Sequence, residues 1–77
     1  MKQMYLIPIG DKVRMYRIRR FGEAFRLAEK AGISPTYLSQ IENNRISPGQ
    51  RTLVKLSNAI GIEVDVLKEG TILMNKK

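Results

Sequence analysis

Residues 27–43 read LAEKAGISPTYLSQIEN, and that stretch decides the fold. Leu27, Ala28 and Ala31 recur at helical spacing, so one face of a helix there is apolar. Gly32 follows, a residue that enters the left-handed conformation without a Cβ penalty and so stops a helix at its C-terminus. Ser34 then offers a hydroxyl to cap a new helix, and Pro35 suits the first turn, where its missing N–H costs nothing. A helix is expected from Pro35 to about Asn43. Two short helices are thus joined by the tight turn Gly32-Ile33-Ser34.

The reading extends outward on both sides. Asn44 ends the second helix of the pair, since Asn tolerates the left-handed region better than most residues. Ser47-Pro48 repeats the cap-then-proline signal, and Gln50, three residues after Ser47, completes a capping-box pattern. Leu53, Leu56 and Ile60 form the apolar stripe of the helix that follows, and Gly61 closes it. A last short helix is expected over Glu63 to Leu67. Toward the N-terminus, Pro8 and Gly10-Asp11 open a helix that runs to about Arg20. Ile9, Val13 and Tyr16 supply its stripe, and Gly22 breaks it before another helix begins near Glu23. Met4–Ile7 and Thr71–Met74 are short apolar runs of strand character whose exposure would be a liability. They are expected to pair in a small sheet, within one chain or across a dimer. The fold class is therefore all-α, five short helices in one compact domain at 9–68. Residues 1–8 form an N-terminal arm or strand and residues 69–77 a C-terminal tail or strand.

Composition narrows the chemistry. The 77 residues allow a single domain and no deep cleft between lobes. Without a cysteine, disulfides and zinc-thiolate sites are excluded; without a histidine, the commonest general base and metal ligand are missing. No cofactor, metal site or catalytic constellation is expected. No apolar run approaches the roughly 18 residues of a membrane helix, and the expected compartment is the cytoplasm. Lys and Arg number 14 against 7 for Asp and Glu, a net charge of +7. Such an excess points to a polyanionic partner. It is concentrated in Lys12, Arg14, Arg17, Arg19 and Arg20, whereas Glu63, Asp65 and Glu69 outnumber Lys68 near the other end.

The helix of residues 35–43 can be placed on a wheel at about 100° per residue. Leu38 and Ile41 define its buried side. Thr36, Ser39, Gln40 and Asn43 point away, all polar, uncharged and able to hydrogen-bond. A helix lying in the DNA major groove uses such groups on base edges, and Gln40 has the carboxamide that pairs with adenine. Such a face is also what any surface helix carries; the glycine turn before it and the basic loop after it favour recognition. Together the pair makes a helix-turn-helix. Glu42 falls at the edge of the buried side and needs a cation, for which Arg17 is the candidate. Tyr37 sits at the other edge, either packing alone or presenting its hydroxyl to a phosphate. Ser34 and the first amides of the helix suit an anion. Asn43, Asn44, Arg45 and Arg51 are candidates to hold the phosphate backbone in register.

These residues resemble the Xre/Cro-like helix-turn-helix family, that of the lambdoid phage repressors. The resemblance is carried by LAEKAGIS at 27–34, YLSQIEN at 37–43 and Leu53, Leu56 and AIGI of 59–62. It implies a five-helix lambda-repressor-like domain, homodimeric binding to a pseudo-palindromic operator, and transcriptional control, most often repression. It places base contacts on Pro35, Thr36, Ser39 and Gln40, backbone contacts on Ser34, Asn43, Asn44 and Arg45, and a structural salt bridge on Arg17 and Glu42. The chain departs from the family at Ala24, where Gln usually touches a phosphate and braces the recognition helix. Phe25 stands where a polar residue is usual, and Arg20-Phe21-Gly22 replaces Leu-Gly-Leu. Arg26 is the candidate substitute for the missing clamp, and Phe25 a candidate contact with another protein or subunit.

The leading expectation is a regulator of double-stranded DNA. The alternative is an antitoxin-type module that neutralises a partner protein and binds DNA secondarily. A fragment of a longer regulator is a third reading and an enzyme a distant fourth. If the two apolar tails form a sheet, deleting residues 71–77 should weaken folding or dimerisation. Thermal unfolding and size-exclusion chromatography would read this, and a truncated chain equally stable and dimeric would remove any role for the tail.

Overall fold

The computed structural model describes residues 2–69 and 71–75. Met1, Gly70, Lys76 and Lys77, parts of the two terminal segments, lie outside the described residues. The elements run β1 (Lys2–Leu6), α1 (Ile9–Arg20), α2 (Ala24–Ala31), α3 (Pro35–Glu42), α4 (Gln50–Ile60), α5 (Val64–Lys68) and β2 (Thr71–Asn75). The two strands pair antiparallel within the chain, Lys2 opposite Asn75 and Leu6 opposite Thr71. β1 starts two residues before the expected run and stops at Leu6. Ile7 and Pro8 then lead into α1, Pro8 having no N–H to give a ladder.

The helices close around Val13, Leu27, Ala28, Ala31, Leu38, Ile41, Leu53, Leu56, Ile60 and Leu67, all buried. Each helix thus contributes at least one residue to a shared interior. Full burial of a Leu or Ile side chain contributes about 1.5–3 kcal/mol, so this cluster carries most of the drive to fold. Ile9, Tyr16, Phe21, Ile33 and Tyr37 pack around its margin.

The α2–α3 turn forms as its residues dictate. Gly32 adopts φ 74°, and the N–H groups of Gly32 and Ile33 return to the carbonyls of Glu29 and Ala28. Two otherwise unsatisfied carbonyls are closed off in this way. Ser34 caps α3, its hydroxyl accepting the Tyr37 N–H at 3.0 Å, with Pro35 in the first turn. The start of α4 differs from the expectation. Its N-cap is Gly49, in the extended conformation and with no side-chain cap, and residues 47–49 lie outside the helix. Proline disfavours the helical region for the residue before it, and glycine is itself an accepted N-cap. The Ser47–Gln50 capping box therefore does not form. α5 begins at Val64, one residue late, with Glu63 as its N-cap.

Two buried charges are matched by carbonyl or guanidinium partners. Lys12, 6% exposed, extends beneath α5 and its Nζ donates to the carbonyls of Val66 (3.0 Å) and Glu69. An ammonium at a helix C-terminus satisfies free carbonyls and complements the helix dipole. α1 packs tightly on α3 at Gly10, which is buried; a Cβ there would run into the carbonyl oxygen of Ile41. Gly10→Ala therefore tests the packing against intrinsic propensity. Alanine favours a helix by about 1 kcal/mol over glycine. A clash with backbone outweighs this, and the variant should be less stable by about 2 kcal/mol, read as a lower thermal midpoint.

Candidate nucleic-acid interface

α3 has one face in the core and one in solvent. Leu38, Ile41 and Glu42 are buried, whereas Pro35, Thr36, Ser39 and Gln40 are exposed. The four residues expected to read bases thus share an open face and carry no charge. Ser34, Asn43, Asn44, Arg45 and Arg51 are exposed too, and Tyr37 is half-buried. The chain brings them to the two ends of α3, the loop after it and the first turn of α4.

Hydrogen bonding sorts these candidates. In the first turn of α3, Pro35 has no N–H, Tyr37 is capped by Ser34, and the Leu38 N–H bonds the Ser34 carbonyl at 3.0 Å. The Thr36 N–H remains as the turn's donor without a partner among the described residues. Ser34 accepts through its oxygen, which leaves its O–H free to donate. The Tyr37 hydroxyl lies 3.1 Å from Thr52 Oγ1 on α4, and one O–H of that pair stays available. Asn43 Nδ2 sits 3.4 Å from Ser39 Oγ, a long contact that leaves it adaptable. Asn44 differs: both ends of its carboxamide are held by α1. At α4, the uncapped amides of Gln50, Arg51 and Thr52 lie beside the exposed Arg51 side chain. A helix N-terminus with free N–H groups attracts anions.

Glu42 is 5% exposed and lies against Arg17 of α1. The pair is bidentate, with Nη2 to Oε1 at 2.6 Å and Nε to Oε2 at 3.0 Å, while Nη1 donates to the Gly22 carbonyl at 2.7 Å. Its hydrogen bond to Glu42 raises the guanidinium pKa above its ordinary value, against the lowering by burial. The arrangement fixes the inner face of α3 to α1 and to the turn before α2.

The sequence concentrates basic residues in α1, with Arg17 already the candidate partner of Glu42. The structure divides them. Lys12 is committed to α5, Arg17 to Glu42, and Arg20 Nη1 to the Ile60 carbonyl at the end of α4, with its guanidinium 5.5 Å from the Tyr16 ring. Arg14 and Arg19 remain exposed, and Arg20 is exposed despite its bond to Ile60. No local signal marks Lys12 or Arg20 as partners of distant helix ends, because the carbonyls that hold them are 40 or more residues away. Ala24 packs against the core, and Arg26 is exposed with its guanidinium 5.5 Å from the Phe25 ring. Phe25 itself is 51% exposed.

A family profile described as Helix-turn-helix matches residues 26–67, more than half the chain. The chain belongs to the helix-turn-helix family. Among its relatives, the immunity repressor protein of Bacillus phage phi105 is 33% identical over 72 residues, covering 92% of this chain and 50% of that one. The transcriptional regulator SinR of Bacillus subtilis is 37% identical over 60 residues, covering 77% and 54%. The chain thus spans about half the length of these relatives. The crystal structure of SinR in complex with DNA superposes with a TM-score of 0.72, at 37% identity over 77% of this chain and 95% of that one. The P22 c2 repressor in complex with a synthetic operator superposes with a TM-score of 0.74, at 27% identity over 80% and 94%. These relatives are named as repressors and as a regulator of transcription.

The ion pair holding α3 should be costly to break from one side. Arg17→Ala leaves a buried carboxylate without its partner and should cost about 3 kcal/mol. For a domain of this size each kcal/mol lowers the thermal midpoint by about 4–8 °C. A midpoint within a degree of the parent chain would show that the pair is not holding α3.

Proposed function

We propose that this chain is a sequence-specific regulator of transcription that binds a pseudo-palindromic operator in double-stranded DNA as a homodimer, most simply as a repressor. The observation that carries the proposal is the face of α3. Thr36, Ser39 and Gln40 are exposed on a helix whose opposite side is locked into the core. A groove-reading helix needs this combination of fixed position and open hydrogen-bonding edges. Relatives named as a regulator and a repressor, two of them in structures with DNA, support it.

In this reading α3 lies in the major groove. Gln40 makes the bidentate contact to adenine, Ser39 bonds a neighbouring base edge, and Thr36 and Pro35 meet bases near the helix N-terminus, the Thr36 methyl against a thymine methyl. Phosphates on one side meet the Thr36 N–H, the Ser34 hydroxyl and the O–H available at Tyr37. On the other side they meet Asn43, Arg45, Arg51 and the free amides of α4. These contacts supply affinity and register, and the bases supply discrimination. Two copies related by a two-fold axis would read half-sites about one helical turn apart.

The test is selection from a random duplex pool near physiological salt, then titration of the selected site and a scrambled duplex at several salt concentrations. A palindrome with half-sites about 10 bp apart and a preference above ~10³ is expected. Gln40→Ala should relax one position in each half-site and cost about 1–3 kcal/mol there. Binding without any enriched sequence, vanishing as salt rises, would reduce the interaction to charge alone.

A further inference from the structure

α1 begins without a cap of its own. Its N-cap position is Pro8, which has no side chain able to bond the first amides. The missing acceptor arrives from 34 residues away: Asn44 Oδ1 takes the Gly10 N–H at 3.1 Å. The other end of the same carboxamide, Nδ2, donates to Asp11 Oδ1 at 2.7 Å. Asn44 is also the residue that ends the recognition helix. It adopts φ 60°, its N–H bonds the Ile41 carbonyl at 3.0 Å, and the Arg45 N–H bonds the Gln40 carbonyl at 2.9 Å. That pattern usually takes glycine at this position. Glycine would close α3 equally well and leave α1 uncapped.

We infer that Asn44 is a positioning residue for DNA reading, which terminates α3 with its backbone and caps α1 with its side chain. The inference rests on the groove-reading role proposed for α3. With Arg17–Glu42 it makes two grips on the C-terminal end of α3, at Gly10 and Asp11 and again about two turns along α1. One grip leaves a helix free to pivot; two set its angle. Gly10 lets the two backbones close to this distance, since a Cβ would meet both the Ile41 carbonyl and Asn44. Arg45 and the loop after it inherit the same frame. Asn44 therefore acts through α3, and its carboxamide is not a phosphate ligand.

Exchange of the two side chains separates these roles. Asn44→Asp sets a second carboxylate against Asp11. The double variant Asn44→Asp, Asp11→Asn exchanges carboxylate and carboxamide, conserves net charge and allows both bonds to re-form. Affinity for the selected operator and for scrambled DNA is measured at a temperature where circular dichroism shows every variant folded. Asn44→Asp should weaken operator binding by about tenfold, the scale of a hydrogen bond to a charged group. The double variant should recover to within about threefold. If Asn44 instead donates to phosphate, the double variant stays as weak as the single one while its thermal midpoint recovers, and the inference falls. It falls also if Asn44→Asp binds the operator like the parent chain. Should the parent chain show no preference for any sequence, the groove-reading proposal has failed. The clamp is then judged from thermal midpoints: a double variant more stable than Asn44→Asp supports it, and additive shifts overturn it.

Discussion

An eight-residue helix is not stable by itself in water, because the first turn costs more than a few later hydrogen bonds return. α3 has that length. Everything it presents to solvent therefore depends on what it buries. Leu38 and Ile41 enter the core without residual exposure, and Glu42 follows them with a charge. The charge is tolerated because Arg17 meets it with two hydrogen bonds. An apolar residue at 42 would pack as well, but it would not select one rotation of α3 about its own axis. The bidentate geometry does, and the polar face is aimed as a result.

The cations of α1 illustrate how a charged sequence becomes a structural one. Lys12 and Arg20 each finish a helix they do not belong to, supplying donors to the carbonyls at the ends of α5 and α4. Short helices have a high ratio of terminal to internal backbone groups, so a five-helix domain has many such ends to satisfy. Long basic side chains reach them from a neighbouring helix. Lys12 is buried in doing so and its charge is withdrawn from the surface, whereas Arg20 stays exposed.

Much of this was legible in the residues alone. The helix order, the glycine stop at Gly32, the Ser34 cap and the outward face of α3 all follow from short-range rules, which are local and so can be read locally. The family profile and the superposed repressors carry the same fold. What could not be read were the partners of Lys12, Arg20 and Asn44, each paired across more than 30 residues. A left-handed Asn at 44 was foreseeable; its service to α1 was not, because only the packed fold brings α1 to the end of α3. The false capping box at Ser47 shows the opposite failure. There a sound local signal falls on residues that stay outside the helix, and glycine caps it instead.

The paired strands give the chain a mechanical character of its own. Because Lys2 stands opposite Asn75 and the ladder runs inward to Leu6 and Thr71, Lys2 and Asn75 lie side by side at its outer end. A pulling force applied between them would load the ladder one rung at a time, as a zipper, and never along its length in shear. The strands would part at low force while the helices bore no tension. Whatever tugs on these two residues would meet a soft hinge first and the helical unit only after it.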